Sequence, residues 1–286
     1  MPPPRIGPPR CGTVVVADAD AGIAAYRDHL DLHVISDAPL PSTQAAAWGQ
    51  PSLAGLRCVL MGADAADPST HWLRLLAVPG ATAPAPMRQR GWLALEVLVR
   101  DVVALGRRLQ AVDGGPFRIL GQPRPLSVSD DIWAMQVAGP GGETLYLTEV
   151  RAPVPPFELP MNARFTAERL FIPVLSAPSR DDALAWYTER AGGSGFRFES
   201  RVSALSRALG LDPEHRRAVA TLGLAGRSII EIDEVPEHPA PPAVAAGLPA
   251  GLAMVSLHAD GLPAGPTLEA GPAGEWIEWL PPLAQP

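Results

Sequence analysis

Hydrophobic and polar positions alternate most plainly between Trp133 and Val150. Trp133, Met135 and Val137 alternate with Ala134, Gln136 and Ala138, a period of two that predicts a strand. Gly139-Pro140-Gly141-Gly142 then breaks the run, as a hairpin turn should. On the way back Leu145 and Leu147 alternate with Thr144, Tyr146 and Thr148, so one face is apolar and the other carries hydroxyls. The turn recurs near the C-terminus, where Gly271-Pro272-Ala273-Gly274-Glu275 leads into Trp276-Ile277-Glu278-Trp279. A G-P-x-G-E turn ahead of a strand therefore occurs twice, which marks an internal repeat.

The rest of the chain repeats one order of elements: strand, helix, then two or three strands. Cys11–Asp18 is β-branched and predicts a strand. From Asp20 to Leu30 the spacing becomes helical, with Ile23, Tyr26, Arg27 and Leu30 recurring every three or four residues and Asp18 or Asp20 as cap. His33–Ser36, Leu56–Met61 and His71–Val78 are strands. A second unit comprises a strand over Gly91–Val99, a helix over Asp101–Val112, a short strand over Phe117–Leu120 and the hairpin. A third has strand Leu170–Leu175, helix Ser179–Arg190, strand Phe196–Glu199, an inserted helix over Val202–Leu209, and strands Ala218–Leu224 and Ser228–Glu234. The fourth is truncated: strand Leu252–His258, Gly261–Pro266 in place of a helix, and a final strand Glu275–Leu280. Each unit is too small to bury its own sheet face, so paired units are expected to close on each other. The predicted class is α+β. Residues 1–10 form a flexible tail, 11–150 an N-terminal half of two units, 151–165 a proline-rich linker, and 166–286 a C-terminal half with the truncated unit.

Composition narrows the partners. The 286 residues carry a net charge of −7 and no basic run, which argues against nucleic acid. All the cations are arginine, alongside abundant alanine, glycine and proline. The 2 cysteines, Cys11 and Cys58, make neither a disulfide framework nor a CxxC site, so a reduced, cytoplasmic setting is expected. MPPPRIGPPR has no apolar core of a signal peptide, and no apolar run reaches the roughly 18 residues of a membrane span.

TVVVADADAGIAAYRDHLDLHV, with its acidic turn and a helix ending in Tyr, resembles the opening of a module of the vicinal oxygen chelate superfamily, which includes glyoxalase I, bleomycin-resistance proteins and extradiol dioxygenases. GPGGETLYLTEV and GPAGEWIEWL resemble its closing strand. The resemblance covers nearly the whole chain as four modules. It implies paired βαβββ modules in two tandem halves, forming curved mixed sheets around ligand-binding cups. The family's usual chemistry uses a divalent metal (Fe, Mn, Zn or Ni) held by His or Gln on a module's first strand and Glu on its last.

Carried over by position, the first-strand sites fall on Cys11, Trp92, a residue near Leu170, and Leu252. The last-strand sites fall on Arg74, Tyr146, Glu231 and Glu278. None is histidine, so no metal cofactor is favoured, with Glu231 and Glu278 as ligands if one binds. The first pair of modules is expected to hold the working site. Arg74 would stabilise an oxyanion and Tyr146 donate a proton, with Glu96 joining them by strand parity. Cys11, Trp92 and Trp133 would contact the ligand, Trp92 as a flat aromatic wall. His258 is expected at the surface end of its strand, and Asp130-Asp131 in a turn. Three activities fit. The first is a metal-independent lyase or isomerase moving a proton next to a carbonyl of a small hydrophobic or aromatic compound. The second is a non-catalytic protein that sequesters an aromatic ligand, and the third a metal-dependent extradiol dioxygenase-type enzyme. A monomer or homodimer is expected.

Overall fold

A computed structural model describes residues 5–127, 129–240, 248–261 and 267–283. The first unit contains β1 (Ile6–Val16), α1 (Ala19–Leu30), β2 (His33–Pro39), α2 (Ser42–Ala47), β3 (Arg57–Gly62) and β4 (His71–Ala77). The second contains β5 (Gly91–Val99), α3 (Val102–Gln110), β6 (Arg118–Leu126), β7 (Ser129–Ala138) and β8 (Thr144–Val150). The third contains β9 (Ala167–Ala177), α4 (Arg180–Ala191), β10 (Phe196–Arg201), α5 (Ser203–Leu209), β11 (Arg216–Leu224) and β12 (Ser228–Glu234). The fourth keeps β13 (Gly251–Ala259), β14 (Thr267–Ala270) and β15 (Trp276–Leu280). Asp18, Asp101 and Ser179 cap α1, α3 and α4, each accepting backbone N–H bonds that the first turn leaves free.

The class is α+β, with two mixed sheets. One runs β14-β15-β13-β1-β4-β3-β2, the other β10-β11-β12-β9-β5-β8-β7-β6. First-strand pairs hold each sheet together: β1 lies antiparallel to β13, and β5 to β9. Each sheet therefore takes one module from each half. The first joins the fourth and the second joins the third, so modules adjacent in the chain do not share a cup, and the expected pairing of the first with the second does not occur.

The two sheets pack back to back. Val14, Leu73 and Leu257 of one meet Leu95, Leu145 and Ile230 of the other in one apolar core, flanked by α1, α3 and α4. At the centre a Cβ on Gly12 would stand 2.3 Å from a Leu95 methyl, so only glycine lets the sheets approach this closely. The cups face outward on opposite sides.

The repeated G-P-x-G-E turns join modules adjacent in sequence. Tyr26 of α1 donates its hydroxyl to Glu143 Oε1 at 2.5 Å, and Tyr187 of α4 donates to Glu275 Oε1 at 2.6 Å. Burial raises both carboxyl pKa values to about 7, against hydrogen bonds from the tyrosines and nearby backbone that lower them. A Cβ on Gly139 or Gly271 would lie 2.0 Å from the carboxylate oxygen that takes this bond, which explains the glycine in both turns.

Some boundaries differ from expectation. β1 begins at Ile6, inside the expected tail, because its early residues pair with β13. Asp130 and Asp131 lie in β7, not in a turn. His258 is buried, 9% exposed, with Nδ1 bonded to the Pro281 carbonyl. Of Gly261–Pro266, only Gly261 lies within the described residues.

Candidate functional site in the cup of the second and third modules

The first–fourth cup is filled. Arg74 pairs with Thr13 in register and Glu278 with Ser256, while Cys11 and Thr13 lie opposite Ser256 and Met254. Arg74 and Glu278 thus occupy equivalent positions about a local twofold. Arg74 Nη1 donates to Glu278 Oε2 at 2.8 Å and to Thr13 Oγ1 at 3.1 Å. The Ser256 hydroxyl donates to the same carboxylate oxygen. Oε1 accepts from Trp48 Nε1 and Gln44 Nε2, both at 3.0 Å. Trp48 also lies over the guanidinium, 5.2 Å from its ring centroid. Burial would raise the Glu278 pKa, but the Arg74 charge and the donors from Ser256, Arg74 and Trp48 outweigh it and hold it down. Cys11 is fully buried with Sγ 3.4 Å from Ser256 Oγ, and burial pushes its thiol up. The insertion around α2 brings Leu40, Ala45, Trp48 and Leu53 down onto Leu76 and Met254. Arg74, assigned a catalytic role from position, is a buried ion-pair residue in this plug.

The second–third cup is open. Register sets Glu96 beside Tyr146 and Val174 beside Glu231, so Tyr146 and Glu231 hold the equivalent positions here. A cavity of about 420 Å³ opens over them. Glu96, Gln136 and Tyr146 are buried at its floor with the half-buried Glu231; Phe198 lines a wall; Arg124, Asp130 and Arg201 stand exposed at its rim. The insertion α5 covers part of this cup, with Ala204 and Leu205 against Phe171 and Val174, but leaves the rest open.

The floor concentrates carboxyl groups. Burial raises the Glu96 pKa to about 7; a 2.8 Å hydrogen bond from the Thr148 hydroxyl opposes this, and the nearby Asp233 adds to it. Glu231 is raised well above the usual carboxylate range by burial, then by Asp233 and Glu96, with no hydrogen bond to offset them. Asp233, two residues along β12, is fully buried, its pKa raised by burial and tempered by Arg217. Three carboxyl groups in one low-dielectric site cannot all ionise. Of the two that line the cavity, Glu96, which accepts from Thr148, keeps its charge more readily than Glu231, which has nothing to offset its burial. The Tyr146 hydroxyl is buried without a hydrogen-bond partner among the described residues, and its pKa is raised by burial and the three carboxyl groups.

Other expected site residues fall elsewhere. Trp92 does not share the face of Glu96, because a register irregularity between Trp92 and Ala94 turns it out of the cup; its indole donates to the Trp276 carbonyl at 2.7 Å. Trp133 alternates with the cup-facing Ala134 and Gln136, and its ring stacks under the Arg151 guanidinium, 4.2 Å from the centroid. Leu252 belongs to the intersheet core, and Ser256 stands in the first–fourth cup instead. Glu231 and Glu278 lie in separate cups.

Sequence parity contained Asp233, since Glu231 and Asp233 alternate with isoleucines on one strand, and Gln136, on the polar side of the hairpin. Phe198, Arg124 and Arg201 carried no local signal; they reach the cavity because the outer strands of the sheet curl towards each other, with Ser127 Oγ 3.3 Å from Ser200 Oγ.

This architecture of paired βαβββ modules in tandem is a fold shared with solved glyoxalase and dioxygenase structures. Glyoxalase I from Zea mays superposes with a TM-score of 0.62 at 14% identity, over 96% of this chain and 93% of that one. A putative dioxygenase from Bacillus subtilis subsp. subtilis str. 168 superposes at 0.59 with 11% identity, over 96% and 85%. No family model matches the sequence, and no curated protein matches it. At these identities the likeness concerns the fold.

The metal implied by that fold family does not fit these donors. In the first–fourth cup a guanidinium already neutralises the glutamate. In the open cup the four equivalent positions carry Glu96, Tyr146, Val174 and Glu231, with no imidazole. Among the described residues no group of three or more His, Cys, Asp or Glu side chains is arranged to hold a metal ion.

Proposed function

We propose that the open cup moves a proton next to a carbonyl group of a small, partly aromatic molecule, as a lyase or isomerase working without a metal. One observation carries this: buried carboxyl groups with raised pKa values meet an unpartnered phenol on the floor of a cavity of about 420 Å³. That volume suits a small-molecule ligand. Glu96, kept ionisable by Thr148, takes the proton from the carbon beside the carbonyl. The Tyr146 hydroxyl and the Gln136 amide donate to the oxygen on which negative charge builds. Glu231, kept protonated by burial and its neighbours, returns a proton to the rearranged skeleton, and the two carboxyl groups then exchange protons with solvent. Phe198 supplies the aromatic wall first assigned to Trp92.

The test is deuterium wash-in. A panel of aryl-substituted ketones and 2-oxo acids is incubated with the protein in D2O, and incorporation is followed by mass spectrometry. Catalysed exchange that falls about a hundred- to ten-thousandfold in Glu96→Gln, with formation of rearranged product lost in Glu231→Gln, supports the proposal. Binding of panel members with no catalysed exchange overturns it in favour of a sequestering protein.

A further inference from the structure

We infer that the ligand of the open cup carries an anionic group, held at the rim by Arg124 and Arg201, and an aromatic ring against Phe198. The inference rests on the proposal that this cup is the working site, and it adds the chemical class and the orientation of the ligand.

The cavity is electrically graded. Its floor holds Glu96 and Glu231, with Asp233 behind them, and these groups already compete over charge. An anion placed there would add to the repulsion that raises their pKa values. The rim differs: Arg124 and Arg201 line it with the single carboxylate of Asp130. Glu214 pairs with Arg201, but on the surface, with side-chain exposures of 39% for Arg201 and 66% for Glu214, and such pairs are weak and easily exchanged. A planar guanidinium binds a carboxylate or sulfonate through two parallel N–H bonds, so a ligand anion can take this place. In a protein of net charge −7, two rim guanidiniums also give an anion a local point of attraction.

The wall supplies the second element. Phe198 lines the cavity, with Phe196 at 5.6 Å and Phe157 at 5.8 Å from Phe196 in a short aromatic row. Phe196 is 49% exposed, which is unusual for so large an apolar side chain beside a polar cavity. An aromatic acid entering ring-first along this row keeps its anion at the arginines and brings its central carbons to Glu96 and Tyr146.

Two dyes sharing one ring system test this. 8-Anilinonaphthalene-1-sulfonate carries the anion, and N-phenyl-1-naphthylamine lacks it. Fluorescence titration of the full chain should give single-site binding of the sulfonate at least about tenfold tighter than that of the neutral dye. Arg124→Gln/Arg201→Gln, both at exposed positions, should lose the preference and leave the neutral dye unchanged. Ser200→Trp, which fills the rim, should abolish binding of both. Equal affinities, a preference that survives in the double arginine variant, binding that survives Ser200→Trp, or no binding of either dye would overturn the inference. Glu231→Gln separates this inference from the proposed chemistry, since it should keep the dye preference while losing formation of rearranged product.

Discussion

Replacing Arg74 by methionine should unfold the protein more easily and leave its chemistry alone. The substitution removes the guanidinium but leaves Glu278 fully buried, with donors among the described residues only from Ser256, Trp48 and Gln44. Removing one partner of a buried ion pair typically costs about 3–5 kcal/mol, because the surviving charge is stranded out of water. For a chain of this length that corresponds to a fall of roughly 10 °C in the thermal midpoint. Adding Glu278→Gln should recover most of the loss, since the amide oxygen still accepts from Trp48, the amide nitrogen can donate to Ser256 Oγ, and no charge is stranded. Urea denaturation followed by tryptophan fluorescence measures both, with Trp48 inside the plug. A single variant within about 1 kcal/mol of the parent, with turnover lost, would show that Arg74 serves catalysis and that the first–fourth cup is the site.

Stability should fall with rising pH. Glu143 and Glu275 have pKa values of about 7 in the fold, above the usual carboxylate value of 4.5. The native state therefore binds more protons than the unfolded chain, and stability is lost as pH rises from about 4.5 through 7. Each group contributes about 1.4 kcal/mol for every tenfold by which folding strengthens its hold on the proton. Urea midpoints at pH 5 and pH 8 check this, and a flat profile that Glu143→Gln leaves unchanged would count against it. Tyr26→Phe removes the donor to buried Glu143 and should cost about 1–3 kcal/mol, read in the same titration. The exchange rate should rise through about pH 7 as Glu96 ionises, and formation of rearranged product should fall at higher pH as Glu231 loses its proton; a profile unchanged in Glu96→Gln would refute the assignment of the base.

Much of the fold was legible because its signals are local. The acidic caps at Asp18 and Asp101, the helical spacing to Tyr26, the hairpin at Gly139 and its echo at Gly271 each reside within a few residues. Nothing local says that β1 pairs with β13 and β5 with β9, and this pairing decides which side chains share a cup. That Tyr146 and Glu96 stand side by side was legible because β5 and β8 belong to one module. The ion pair of Arg74 was not legible because its partner Glu278 lies 204 residues away, nor was the face of Trp92, because one irregularity in β5 reverses strand parity. The tyrosine at the end of α1 and the glutamate of the G-P-x-G-E turn were both visible in the sequence, but their hydrogen bond was not, since it spans 117 residues.

The most direct measurement compares two variants in one deuterium-exchange assay: Glu96→Gln in the open cup, and Arg74→Met/Glu278→Gln in the filled one. Both should be folded by thermal denaturation. The expected result is exchange lost in Glu96→Gln and retained within a few-fold in the double variant. Exchange retained in Glu96→Gln and lost in the double variant would contradict the assignment and move the site to the other cup.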